Sequence, residues 1–117
     1  KLSGTDGTLI DFIIRSNSQE IKMIPGQFAL QQNFPNPFNP STEIRFDLPE
    51  GGHVELSVFN MAGQKVRTLS SEIMQPGYHA IIWDGTNNSG YKVATGMYFY
   101  AISTAQFNDT KKMLFLK

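Results

Sequence analysis

The chain has 117 residues, with ten basic and ten acidic side chains and a formal net charge of zero. That length suits one domain, or one domain with a tail, burying roughly two-thirds of its unfolded surface. The charge balance leaves no footprint for nucleic acid or an anionic membrane. The lack of cysteine excludes disulfides, thiolate catalysis and Cys-type zinc sites, and no apolar run approaches the ~20 residues of a membrane helix.

Lys1-Leu2-Ser3-Gly4 is not a signal peptide and has no initiator Met, so the chain is expected to be a piece of a longer protein. Period-2 patterning then dominates. Thr8–Ile14 reads as a first strand, Ser16-Asn17-Ser18-Gln19 as a turn and Glu20–Ile24 as a short second strand, halted by Pro25-Gly26. Phe28–Gln32 is a short extended piece. In Asn33-Phe34-Pro35-Asn36-Pro37-Phe38-Asn39-Pro40-Ser41-Thr42, three prolines remove backbone donors and push Phe34, Asn36 and Asn39 toward extended geometry. A polyproline-like run at a domain edge is expected, with Phe34 and Phe38 burying their rings and Asn36 and Asn39 forming side-chain turns.

Glu43–Leu48 is the clearest strand: Ile44, Phe46 and Leu48 share a core face, and Glu43, Arg45 and Asp47 a solvent face. After the turn Pro49-Glu50-Gly51-Gly52, Val54, Leu56 and Val58 alternate with Glu55 and Ser57. Asn60-Met61-Ala62-Gly63 has the chemistry of a tight hairpin, and the return strand begins at Gln64 and reaches Leu69 or Met74. Tyr78–Trp83 places His79, Ile81 and Trp83 on one face, and Asp84–Gly90 is a loop by composition. In Met97–Ser103, Tyr98, Tyr100 and Ile102 oppose Met97, Phe99 and Ala101. Phe107-Asn108-Asp109-Thr110 is the last turn before the strand Lys111–Leu116. About seven strands at 8–12-residue spacing predict an all-β fold, an antiparallel Ig-like or fibronectin-III-like β-sandwich, ahead of a small barrel.

The candidate sites are thin in chemistry. His53 and His79 lie in strand patterns with no elbow or triad partner in sequence, and the carboxylates Asp47, Glu50, Glu55 and Glu72 fall on solvent faces or turns, so an enzyme is not expected. Asp84-Gly85-Thr86-Asn87-Asn88-Ser89-Gly90 offers Asp84 and Asn88 as weak calcium candidates, but lacks the carboxylates and terminal Glu of a calcium loop. The stronger expectation is that Trp83, Asp84, Gly85 and Gly96 are structural, with no cofactor and no metal. Tyr78, Tyr91, Tyr98, Phe99 and Tyr100 could form a sugar platform or divide between core and surface. The terminal strand Lys111, Lys112, Met113, Leu114, Phe115, Leu116 and Lys117 is the best recognition candidate, because a terminal strand can offer an edge for β-augmentation; its lysines equally suit an ordinary protected edge.

From about Phe28 to Lys117 the chain resembles the C-terminal sorting domain, type A, of the type IX (Por) secretion system. The resemblance is carried in order by the segment Phe34, Pro35, Asn36, Pro37, Phe38, Asn39, Pro40, then Ile44-Arg45-Phe46-Asp47-Leu48-Pro49, Val54–Asn60, Gly63-Gln64-Lys65-Val66, Gly77-Tyr78-His79, Trp83-Asp84-Gly85, Gly90, Gly96–Tyr100 and Lys112–Lys117. The second half also resembles the Ig-like domain of flagellar hook-capping proteins, notably at Trp83-Asp84-Gly85. The first resemblance implies a non-catalytic module that carries a secreted cargo across the outer membrane, via the periplasm, to the cell surface or the medium. It implies type IX secretion machinery and the N-terminal cargo as partners, no nucleic acid and no membrane insertion, and often proteolytic removal of the domain, for which residues 15–33 are the expected place. The second implies a passive Ig-like spacer or assembly module; a carbohydrate-binding accessory domain is a further alternative. Residues 1–27 lie outside the resemblance and read as a linker, the end of a cargo or an extra strand pair, with the Ig-like domain over residues 28–117.

Overall fold

Two β-sheets face each other across one apolar layer. The computed structural model describes the backbone of residues 11–15 and 21–117, and side chains from Met23 onward. The expected turn at Ser16–Gln19, and the parts of the first two expected strands at Thr8–Ile10 and Glu20, lie outside the described residues. The described residues form nine strands: β1 Asp11–Arg15, β2 Ile21–Pro25, β3 Ala29–Leu30, β4 Thr42–Leu48, β5 Gly52–Phe59, β6 Lys65–Met74, β7 Gly77–Trp83, β8 Gly96–Ser103 and β9 Asn108–Phe115. β1 and β2 form a two-stranded sheet, with β2 in contact with β7 and β4, while the sandwich consists of a three-stranded sheet, β3-β4-β7, and a four-stranded sheet, β6-β5-β8-β9. All of these strand pairings are antiparallel, as the sequence pattern predicted for a seven-stranded Ig-like sandwich.

Alternation decides which side chains enter the core. On β4, Thr42, Ile44, Phe46 and Leu48 are buried and Arg45 is exposed. Val54, Leu56 and Val58 from β5, Tyr98, Tyr100 and Ile102 from β8, and Met113 and Phe115 from β9 meet them from the opposing sheet. Each such side chain, fully buried, contributes about 1.5–3 kcal/mol relative to exposure. β7 alternates likewise, with Trp83 fully buried and Ile81 packed against the cluster, while Tyr78 and Ile82 face outward. Phe28 stacks on Phe107, centroids 5.4 Å apart, so the fold begins no later than Phe28.

The turns follow their local chemistry. Asn60 Oδ1 accepts from the amides of Ala62 and Gln64 at 3.0 Å each, and the Gly63 amide donates to Asn60 O at 2.9 Å. Gly63 adopts φ +84°, a conformation that costs glycine little and residues with a Cβ much more. β6 runs to Met74, the longer of the two expected ends, opposite Gly52.

Two expectations about the stretch before β4 are corrected. The Pro/Asn segment is not an extended polyproline run: it bends between Phe34 and Phe38, and its three X–Pro peptides, Phe34–Pro35, Asn36–Pro37 and Asn39–Pro40, are cis. The bend lets Phe34 bridge to Glu43 of β4 while Phe38 bridges to Phe115 of β9. The expected cleavage window, residues 15–33, also ends in buried parts of the sandwich, Leu30 and Asn33, so its last part is not an exposed linker.

Candidate functional site

The two stretches singled out in sequence, at opposite ends of the domain, meet at one corner of the sandwich. The Phe38 amide donates to Leu114 O at 3.0 Å, and the Leu116 amide donates to Phe38 O at 3.0 Å. The Leu114 amide donates to Asn36 Oδ1 at 3.0 Å, and Gln32 Nε2 donates to Lys112 O at 2.8 Å. The outward backbone groups of β9 at Lys112 O, Leu114 and Leu116 are therefore occupied from within the chain. β-augmentation on this stretch, the expected route of recognition, is closed: a partner strand would have to displace Asn36 and Phe38. What stays accessible is side chain: Lys112, Leu116 and Lys117 are exposed beside Pro35, Asn36 and Pro37, with Lys111 and Leu114 half-buried and Met113 and Phe115 in the core.

The two phenylalanines of the segment have opposite fates. Phe38 is 2% exposed, stacked on Phe115 with centroids 4.9 Å apart and tilted against Trp83 at 5.6 Å. Phe34 is 79% exposed, against the expectation that both rings would be buried. Its bridge to Glu43 turns it to the outer face of β4, because directly paired residues of neighbouring strands project on the same side. Asn36 makes no turn to nearby backbone: its Oδ1 is committed to Leu114, 78 residues away.

Asn33 and Tyr100 form a lock that the sequence pattern did not disclose. The buried Asn33 donates from its backbone amide to Tyr100 Oη at 2.8 Å, and from Nδ2 to Thr42 Oγ1 at 2.9 Å. Thr42 Oγ1 donates to Pro35 O at 2.8 Å, and Tyr100 Oη donates to Gln31 O at 2.7 Å. A hydroxyl that both accepts and donates inside the core satisfies two backbone groups at once, and burial pushes the Tyr100 phenol up to about 12. Tyr100→Phe strands both backbone groups and is expected to cost about 1–3 kcal/mol in urea unfolding. The raised value also sets a sign. The folded state holds this proton more tightly than the unfolded chain, so Tyr100 costs stability as pH rises from about 10 toward 12. That part of the alkaline loss disappears in Tyr100→Phe.

The Trp83-Asp84-Gly85 turn is likewise accounted for by packing. Trp83 Nε1 donates to Thr86 O at 2.9 Å. Asp84 Oδ1 accepts from the Thr86 hydroxyl and amide, and the hydroxyl contact holds the Asp84 carboxyl below its ordinary value, helped by the Thr86 amide and Arg67. Gly85 has φ +77°, and a Cβ there would lie 2.8 Å from Phe115 Cζ, so both backbone and space demand glycine. Gly96 opens β8 at φ +141°. The calcium candidates diverge: Asn88 Oδ1 accepts from the Thr68 amide at 3.0 Å, while Asp84 faces the Arg67 guanidinium at 3.9 Å. Among the described residues no three His, Asp or Glu side chains come together.

The sugar platform is not assembled, because Tyr98 and Tyr100 lie in the core; only Tyr78 and Tyr91 of that set are exposed. His79 stacks on Phe46 and its Nε2 contacts Gln75 O at 2.8 Å. His53 Nε2 lies 3.4 Å from Ser71 Oγ, a pairing invisible in sequence, but the contact is long and on an exposed part of β5–β6. An open groove of about 580 Å³ on the outer face of the three-stranded sheet is lined by Gln31, Phe34, Glu43, Arg45, Asp47 and Tyr78.

Residues 36–107 match the FlgD Ig-like domain family. The chain belongs to that family. This FlgD-type domain also superposes on the crystal structure of dimeric latent PorU from Porphyromonas gingivalis, with TM-score 0.57 and 21% identity over 77% of this chain and 9% of that one. It superposes on FlgD from P. aeruginosa with TM-score 0.51 and 21% identity, over 63% of this chain and 57% of that one. At such identity the likenesses speak for a shared Ig-like fold, and the FlgD-type domain spans about a tenth of the PorU chain and just over half of the FlgD chain. No curated protein matches the sequence. The family match stops at Phe107, one residue before β9 begins.

Proposed function

We propose that this domain is a non-catalytic C-terminal sorting module of type A, carrying an N-terminal cargo through the periplasm and across the outer membrane by type IX secretion to the cell surface or the medium. The observation that carries the reading is the junction of the Pro/Asn segment with β9. The two stretches most characteristic of the sorting-domain resemblance form one rigid corner, bonded through Phe38, Asn36 and Gln32. The recognised surface is then composite: the exposed side chains of Pro35, Asn36 and Pro37 beside Lys112, Leu116 and Lys117. The machinery reads the folded corner and does not need a loose terminal strand.

Fusing residues 28–117 to a periplasmic reporter, in a host with this secretion system, tests the role. Export is expected, and a reporter that remains periplasmic sinks the reading. Deleting residues 111–117 would be a poor second test, since it removes Met113 and Phe115 from the core. The paired surface change Lys112→Glu and Leu116→Glu keeps the fold and is expected to abolish export. Unchanged export would remove β9 from the recognised surface. The passive spacer reading is favoured by the family match alone, and predicts that the fusion folds but is not exported.

A further inference from the structure

The sandwich protects its edges unevenly. β9 is bonded along its outer side by Gln32, Asn36 and Phe38. On β6 the Asn88 amide donates to Val66 O at 3.1 Å and Asn88 Oδ1 accepts from Thr68 N, and the strand carries Lys65, Arg67 and Glu72. β3 is only two residues long. These are the usual ways of blunting an edge: cover, charge and brevity. β7 lacks charge and brevity, and β2 contacts it on the side of Tyr78, where Pro25 and Tyr78 line one groove; from Ala80 to Trp83 no described residue bonds its outer backbone. Its sequence, Gly-Tyr-His-Ala-Ile-Ile-Trp, contains no Lys, Glu, Asp, Arg or Pro, and it pairs with β4 on one side only.

The ladder tells which β7 groups point outward. The amide and carbonyl of Glu43 bond to Phe34, and Arg45 O accepts from Gln31, so these β4 residues direct their backbone toward the β3 side. Their alternates Thr42, Ile44, Phe46 and Leu48 therefore face β7, opposite Trp83, Ile81, His79 and Gly77. The N–H and C=O of Ala80 and Ile82 point away from the sheet, and nothing among the described residues bonds them. The Ile82 side chain is 59% exposed.

We propose that this edge is a self-association site, pairing antiparallel with β7 of a second copy about a two-fold axis at Ile81. In that register Ala80 faces Ile82 of the second copy and Ile82 faces its Ala80, so four hydrogen bonds form from groups that no described residue bonds. The small and large side chains complement each other on the outer face, and the two Ile81 side chains meet on the inner one. A two-fold interface must be complementary to itself, and this alternation is. The zero net charge adds no long-range repulsion between copies. The two three-stranded sheets become one continuous six-stranded sheet. A single strand edge buries less than the ~1,200 Å² of a stable interface, so the dimer is weak and forms at high concentration. The inference is independent of the sorting role.

Sedimentation equilibrium of the full chain tests it. The expected result is monomer at ~10 µM and dimer at ~1 mM, the range of a small interface. Ala80→Pro removes one outward donor without touching the β4 ladder, and Ile82→Lys places a charge on the edge. Each is expected to weaken association at least tenfold while leaving the circular-dichroism melt intact; if one fails to fold, the other decides. Register is tested by Ile81→Cys, the sole thiol in the chain, which should cross-link under mild oxidation, since opposed residues at such a site lie ~4.5 Å apart at Cα. Ser71→Cys on β6 should not. A monomer at ~1 mM, a dimer indifferent to both edge variants, or equal cross-linking at Ser71 overturns the proposal.

Discussion

Phe38→Ala is expected to destabilise the domain by about 3–5 kcal/mol, while Phe34→Ala, only four residues earlier, changes stability by less than about 1 kcal/mol. The asymmetry follows from burial of 2% against 79%. Removing the Phe38 ring opens a cavity between Phe115 and Trp83, which it touches at centroid distances of 4.9 and 5.6 Å. Its backbone bonds to Leu114 and Leu116 remain possible but lose the ring that anchors them. Chemical unfolding followed by circular dichroism measures both variants, and equal costs would mean that the clamp is not where the structure puts it. The pair also separates stability from recognition. If the corner is read by the export machinery, Phe34→Ala, which leaves Pro35, Asn36, Pro37, Lys112, Leu116 and Lys117 in place, keeps export, whereas Phe38→Ala lowers it through unfolding.

Trp83→Ala has the second large effect, again about 3–5 kcal/mol from cavity formation. The indole is fully buried and lies against three aromatic rings, Phe38, Tyr98 and Phe115, with the Tyr98 contact edge-on at 5.4 Å. Such pairs add about 0.5–1.5 kcal/mol beyond area. It also joins both sheets, because Trp83 ends β7 in one and Tyr98 and Phe115 belong to the other. Trp83→Phe separates the two contributions: it retains most of the ring but loses the Nε1 donor to Thr86 O. A cost of about 1–2 kcal/mol is expected there. Trp83 is the only tryptophan, so intrinsic fluorescence follows the wild type and backbone circular dichroism must follow both variants. If Trp83→Ala costs less than about 1 kcal/mol, the ring cluster is not the hub of the core.

The partition of β4, the faces of β7 and β8, and the Asn60–Gly63 turn were all legible in the sequence. Alternation and turn chemistry are local: a strand's two faces follow from the pleat, and positive φ at Gly63 from the missing Cβ. The motif order across the chain likewise carried the Ig-like family relation. The same reasoning misjudged Phe34, Asn36 and the edge of β9. Two phenylalanines in similar Pro/Asn surroundings look equivalent until one is bridged to β4 and the other to β9. Likewise, Asn36 shows no sign in sequence of a partner 78 residues on.

By itself, then, the sequence determined the strand content, the side chains that alternate into the core, the glycine turns and the absence of thiol chemistry, because each depends on backbone sterics and composition within a few residues. The tertiary structure alone decided which edges are closed. Whether a backbone N–H is free depends on what the fold lays beside it, and pairing between residues far apart in the chain sets that. Packing bonded the terminal strand to Asn36 and Phe38, tied Asn33 to Tyr100, and set no described residue against the outward groups of Ala80 and Ile82 on β7.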